Sequence, residues 1–94
     1  MLNVLIADDN EGMRLVLRKA VEKAGHRVIA EASAGEDAVQ KVEAYRPDVI
    51  FMDIEMPGMD GVEAARRIQD IDPRIFLIFA TAYEEYRKEA FEVY

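Results

Sequence analysis

Three aspartates stand directly after short apolar runs: Asp8 and Asp9 after Val4-Leu5-Ile6-Ala7, and Asp53 after Val49-Ile50-Phe51-Met52. If those runs are neighbouring strands, the three carboxylates converge at one rim of a sheet. Like charges brought that close repel, and at least one pKa rises unless a cation sits between them. An all-oxygen donor set with room for water suits Mg²⁺ better than zinc or copper. Thr81 ends another apolar run and would place a hydroxyl opposite such an ion. Together these groups are equipped for phosphoryl transfer, with a carboxylate as nucleophile, the metal neutralising phosphoryl oxygens and the hydroxyl hydrogen-bonding one of them. Each piece alone has a plainer explanation. Asp-Asp-Asn after a strand is commonly a helix N-cap, an aspartate before Pro-Gly is commonly turn chemistry, and a threonine at a strand end is commonly structural. The coincidence of all three at strand ends favours the chemical reading.

The elements that must position these residues follow from changes of apolar period. Residues 4–7 form a continuous apolar run, as in a strand buried on both faces. From Asn10, a candidate N-cap, the apolar positions Met13, Val16, Leu17, Ala20, Val21 and Ala24 keep helical spacing, and Gly25 follows as a helix-ending glycine. A weaker strand spans residues 27–32. Ser33 and Glu36 read as a capping box opening a second helix, whose buried side is Ala38, Val39, Val42 and Tyr45. Pro47 closes that helix, and residues 49–52 make a third strand. Pro57-Gly58 predicts a type II turn. Asp60 and Glu63 cap a third helix with Val62, Ala65 and Ile68 inward, and residues 75–80 are a fourth strand. A fourth helix is predicted over residues 82–94. The order β-α-β-α-β-α-β-α predicts an α/β fold, a parallel sheet with helices on both faces. The flavodoxin-like strand order suits this length, and ligands of such sheets gather at the carboxyl ends of strands.

Composition narrows the functional classes. The 94 residues hold twelve basic and nineteen acidic side chains, a net charge of −7, which argues against binding a polyanion such as DNA. Without cysteine there is no disulfide or thiolate site, and a reducing cytoplasm is the expected location. No run approaches a membrane span and the N-terminus lacks the basic start of a signal peptide, so no membrane partner is expected. His26, after Gly25, reads as a solvated loop residue, and Arg66 and Arg67 as an exposed helix face.

The segments Val4-Leu5-Ile6-Ala7-Asp8-Asp9-Asn10, Val49-Ile50-Phe51-Met52-Asp53-Ile54-Glu55-Met56-Pro57-Gly58-Met59-Asp60-Gly61 and Ile78-Phe79-Ala80-Thr81-Ala82 resemble the receiver domains of bacterial two-component response regulators. That resemblance covers the whole chain. It implies that Asp53 is the phosphoacceptor of a sensor histidine kinase, and that Asp8, Asp9, Asp53 and the backbone carbonyl of Glu55 hold Mg²⁺. It also implies that Thr81 is the switch hydroxyl, and that Glu55 and Tyr83 influence the lifetime of the acyl phosphate. Such a domain assists its own phosphorylation and is not a turnover enzyme. Residues 81–93 are further similar to receivers joined to LytTR-type DNA-binding domains.

Receivers continue with a fifth strand, a lysine and a fifth helix, which this sequence does not contain. The expected fold is therefore a single incomplete receiver over residues 1–94, CheY-like, with about four strands in the order 2-1-3-4 and four helices. Without the lysine, phosphorylation is expected to be slow or undetectable, and switching impaired. A fourth strand left at the edge is expected to drive self-association. The alternative function is a self-associating structural fragment that does not switch. An aspartyl-phosphate phosphatase shares the nucleophile and metal, but such enzymes place two acids two residues apart, whereas Asp8 and Asp9 are adjacent.

Overall fold

The computed structural model describes residues 1–80. Seven elements follow in the order β1 (Asn3–Ala7), α1 (Glu11–Lys23), β2 (Arg27–Ala32), α2 (Gly35–Tyr45), β3 (Val49–Met52), α3 (Gly61–Ile71) and β4 (Phe76–Phe79). The strands form one sheet in the order β2-β1-β3-β4, and every neighbouring pair is parallel. This is the CheY-like order expected from the sequence. The fourth helix, over residues 82–94, lies outside the described residues. Among the described residues no helix is long and apolar enough to cross a membrane.

The two-residue period of the strands divides the core in two. Leu5, Ala7, Ile50 and Met52 point to the face covered by α2 and α3, where Ala38, Val42, Ala64 and Ile68 join them. Val4 and Ile6 point to the opposite face and meet Val21 of α1, with Leu17, Val28, Val49 and Phe51 packed around them. A central parallel strand buried on both faces must be apolar at every position, which is why β1 and β3 read as unbroken runs. Among the described residues, α1 is the one helix on its face. Beside it an apolar groove of about 600 Å³ runs over Val49, Phe51, Phe76 and Ile78.

Local signals fixed most boundaries. The Asn10 side chain accepts the Met13 N–H at 2.9 Å and starts α1. Asp60 accepts the Glu63 N–H at 2.9 Å and starts α3. Gly58 has φ +76°, as the third residue of a type II turn after Pro57 requires. The predicted capping box at Ser33 and Glu36 is not formed. Ala34 is the N-cap of α2, in extended conformation and with no side-chain cap bond. Here a tertiary contact sets the helix start. A Cβ on Gly35 would lie 2.3 Å from the Met59 carbonyl oxygen, so α2 begins against the loop that leads into α3.

Five of the apolar residues at the expected helical spacing are exposed instead: Val16, Ala20, Ala24, Tyr45 and Val62. On α3 the buried positions are Gly61, Ala64, Ala65 and Ile68, a stripe shifted from the predicted one. His26 is half-buried, not solvated; its Nδ1 accepts the Leu2 N–H at 3.0 Å and ties the start of the chain to the end of α1. Arg66 and Arg67 are exposed as expected and pair with Glu63 at 3.1 and 3.5 Å.

Candidate acid site

The strand ladder places the acids. Ala7 of β1 is in register with Ala32 of β2 and with Met52 of β3. The pairing continues one residue further on each side: Asp8 N–H donates to Ala32 O at 2.9 Å, and Asp53 N–H to Ala7 O at 2.8 Å. Asp8 and Asp53 therefore leave adjacent strands at the same level, at the carboxyl rim of the sheet. The end of β4 reaches the same rim, where Ala80 N–H donates to Met52 O at 2.8 Å.

One carboxylate oxygen each from Asp8, Asp9 and Asp53 lies within 4.8 Å of the others. Asp8 is 3% exposed and Asp53 5%, whereas Asp9 faces solvent. Burial pushes the Asp8 carboxyl above its ordinary value, and the charge of Asp9 adds to that. A hydrogen bond from the Asn10 N–H, 2.9 Å from Asp8 Oδ1, acts in the opposite direction. So do a hydrogen bond between the Asp8 and Asp53 side chains and the charge of Arg14. Carboxylates this close disfavour joint ionisation, and a divalent cation bound by both would relieve that.

The loop after Asp53 is held by close backbone packing. The Gly61 N–H donates to Ile54 O at 2.6 Å, and a Cβ on Gly61 would lie 2.0 Å from the carbonyl oxygen of Asp53. Only glycine allows the first turn of α3 to press this closely on the strand end. Glu55 lies in that loop and is exposed. Thr81 and Tyr83 lie outside the described residues.

Arg14 was not singled out from sequence. Its guanidinium donates to the Asp8 carbonyl at 2.7 Å and sits 3.3 Å from Glu31 of β2. No local pattern marks it, because Glu31 is a neighbour only through the β1–β2 pairing. The residues present fit a hard divalent cation: an all-oxygen set, two of its three members buried, with a raised carboxyl among them.

A family model described as response regulator receiver domain matches residues 4–93. The chain is 46% identical over 82 residues to a protein-glutamate methylesterase/protein-glutamine glutaminase of Hahella chejuensis, covering 87% of this chain and 24% of that protein. It is 43% identical over 79 residues to the chemotaxis protein CheY of Thermotoga maritima, covering 84% of this chain and 66% of that one. Among solved structures, the CheX–CheY–BeF3–Mg²⁺ complex from Borrelia burgdorferi superposes with a TM-score of 0.83 at 31% identity, covering 96% of this chain and 70% of the other. The chain thus spans about a quarter of one curated relative and 66% of the other.

Proposed function

Because the chain belongs to the response regulator receiver family, we propose that it is a phospho-acceptor switch in which Asp53 receives a phosphoryl group from a sensor histidine kinase. The observation that carries this reading is the convergence of three carboxylates within 4.8 Å at the carboxyl rim of the sheet. Asp8, Asp9 and Asp53, with the backbone carbonyl of Glu55, would hold Mg²⁺. The ion, when bound, neutralises charge on the phosphoryl oxygens. Mg²⁺ and BeF3 in the Borrelia complex support the choice of ion and of ligand class.

A carboxylate oxygen of Asp53 attacks the phosphorus of the phosphohistidine. The P–N bond breaks, its electron pair stays on the imidazole nitrogen, and a carboxyl–phosphoryl anhydride forms. Burial of Asp53 keeps bulk water from that anhydride, and the exposed Asp9 leaves one side open to the donor. Thr81 is the proposed hydrogen-bond donor to a phosphoryl oxygen. In this reading residues 1–94 act as one domain in the cytoplasm, as an acceptor and not a turnover enzyme. With a net charge of −7 the segment does not bind nucleic acid itself.

A small-molecule phosphodonor with Mg²⁺, followed by intact-mass spectrometry, tests the reading. Wild type is expected to gain one phosphoryl group, and Asp53→Asn or added chelator to abolish the gain. Labelling of Asp53→Asn at the wild-type rate would overturn it.

A further inference from the structure

We propose that Arg14 is a positioning residue for the acid site, holding the β1–α1 turn so that Asp8 and Asp9 present their oxygens to a divalent cation. The inference rests on the reading of the acid cluster as a Mg²⁺ site. Asp8 and Asp9 lie between a strand that ends at Ala7 and a helix that begins at Glu11, so their backbone belongs to neither ladder beyond the Asp8 N–H. The Asp8 carbonyl is anchored instead by the Arg14 guanidinium at 2.7 Å. That guanidinium is itself anchored, because its Nε lies 3.3 Å from Glu31 Oε1.

Glu31 is fixed from three sides. It pairs with Arg14 and Arg18 of α1 through its carboxylate, and its backbone carbonyl accepts from Lys41 Nζ of α2. Lys41 in turn pairs with Asp37 at 2.9 Å. The Asp8 turn is thereby tied, through one planar fork, to β2 and to the helices on both faces of the sheet.

Two effects of Arg14 on a bound cation oppose each other. Its positive charge repels the ion, while its hydrogen bond orders the turn. Glu31, shared between Arg14 and Arg18, offsets only part of that charge, and the ordering of the turn outweighs the remainder. Lysine cannot replace arginine here: a single ammonium lacks the rigid fork that reaches a carbonyl with one nitrogen and a carboxylate with another.

Mg²⁺ titrations of wild type, Arg14→Ala, Arg14→Lys and Glu31→Gln, followed by amide shifts of Asp9, Asn10 and Gly12, distinguish the possibilities. Thermal unfolding in chelator shows which variants remain folded. Both Arg14 variants are expected to bind Mg²⁺ about fivefold or more weakly than wild type, with Glu31→Gln in between. Unchanged or tighter binding in Arg14→Ala, or full rescue by Arg14→Lys, would overturn the inference and leave a charge effect alone. If Arg14→Ala does not fold, the comparison of Arg14→Lys with Glu31→Gln decides in the same way. A wild type that binds no Mg²⁺ sinks the site reading itself, which is a separate outcome.

Discussion

Asp8 shows how a function sets its demand at the level of one residue. A carboxyl pushed up by burial and by the neighbouring Asp9 charge makes the metal-free fold less stable than it could be. The unfolded chain releases this proton near the ordinary value of 3.8, the folded chain only at higher pH. Stability from the protonated carboxyl is therefore complete below the unfolded value and is lost as pH rises through the folded one. Asp8→Asn keeps an oxygen for the Asn10 N–H and removes the charge. In chelator, its stability relative to wild type should increase as pH rises from about 4 toward neutrality. Added Mg²⁺ should narrow that difference by stabilising wild type. Urea unfolding at several pH values measures both. A difference that is constant with pH would show that Asp8 is not held above its ordinary value.

At the scale of elements, the site depends on glycines that let helices approach a strand end. Gly61→Ala would place a methyl group 2.0 Å from the Asp53 carbonyl oxygen, against backbone that cannot rotate away. Overpacking of this kind costs about 1–3 kcal/mol or more. The expected result is a loss of that size in urea unfolding, together with shifted amide resonances at Ile54 and Glu55. An unchanged midpoint would mean that α3 can slide from the strand end at no cost. Strand limits, the Asn10 and Asp60 caps and the Pro57-Gly58 turn were legible in sequence because each is decided within four residues. The rim position of Asp8, Asp9 and Asp53 was legible because β-α alternation makes the sheet parallel and gathers every strand's carboxyl end at one rim; that β1 and β3 are neighbours rested on the choice of the flavodoxin-like order. The start of α2 was not, because Met59 is twenty-four residues beyond Gly35 and the contact that overrides Ser33 and Glu36 is tertiary. The outward turn of Val16, Tyr45 and Val62 escaped for a related reason: helical spacing gives a stripe, but its rotation is set by neighbours. Arg14 and Glu31 meet through strand pairing, which periodicity does not register.

Among the described residues the sheet is unevenly covered. β4 ends the order of described strands, and it carries Phe76 at 65% exposure and Phe79 at 47%, on opposite sides of the strand. An edge of four apolar residues without a charge or proline is a template for pairing with another chain. The groove beside α1 adds Phe51 and Ile78 to the same region. Covering one exposed phenylalanine contributes about 1.5–3 kcal/mol, and several such side chains in a twofold contact work against the cost of bringing two chains together. Against this stands the net charge of −7 on each copy, whose repulsion weakens with added salt. The 94-residue chain is therefore expected to self-associate through its β4 edge, more strongly at high ionic strength than at low. Phe76→Lys is the informative variant, because Leu77 packs on the core and its replacement would unfold the chain for unrelated reasons. Light scattering at two concentrations and two salt levels should show a concentration-dependent mass for wild type and at least about tenfold weaker association for Phe76→Lys, a difference of about 1.4 kcal/mol. A monodisperse monomer at every condition would rule out the edge as an interface and imply that another part of the same chain covers it.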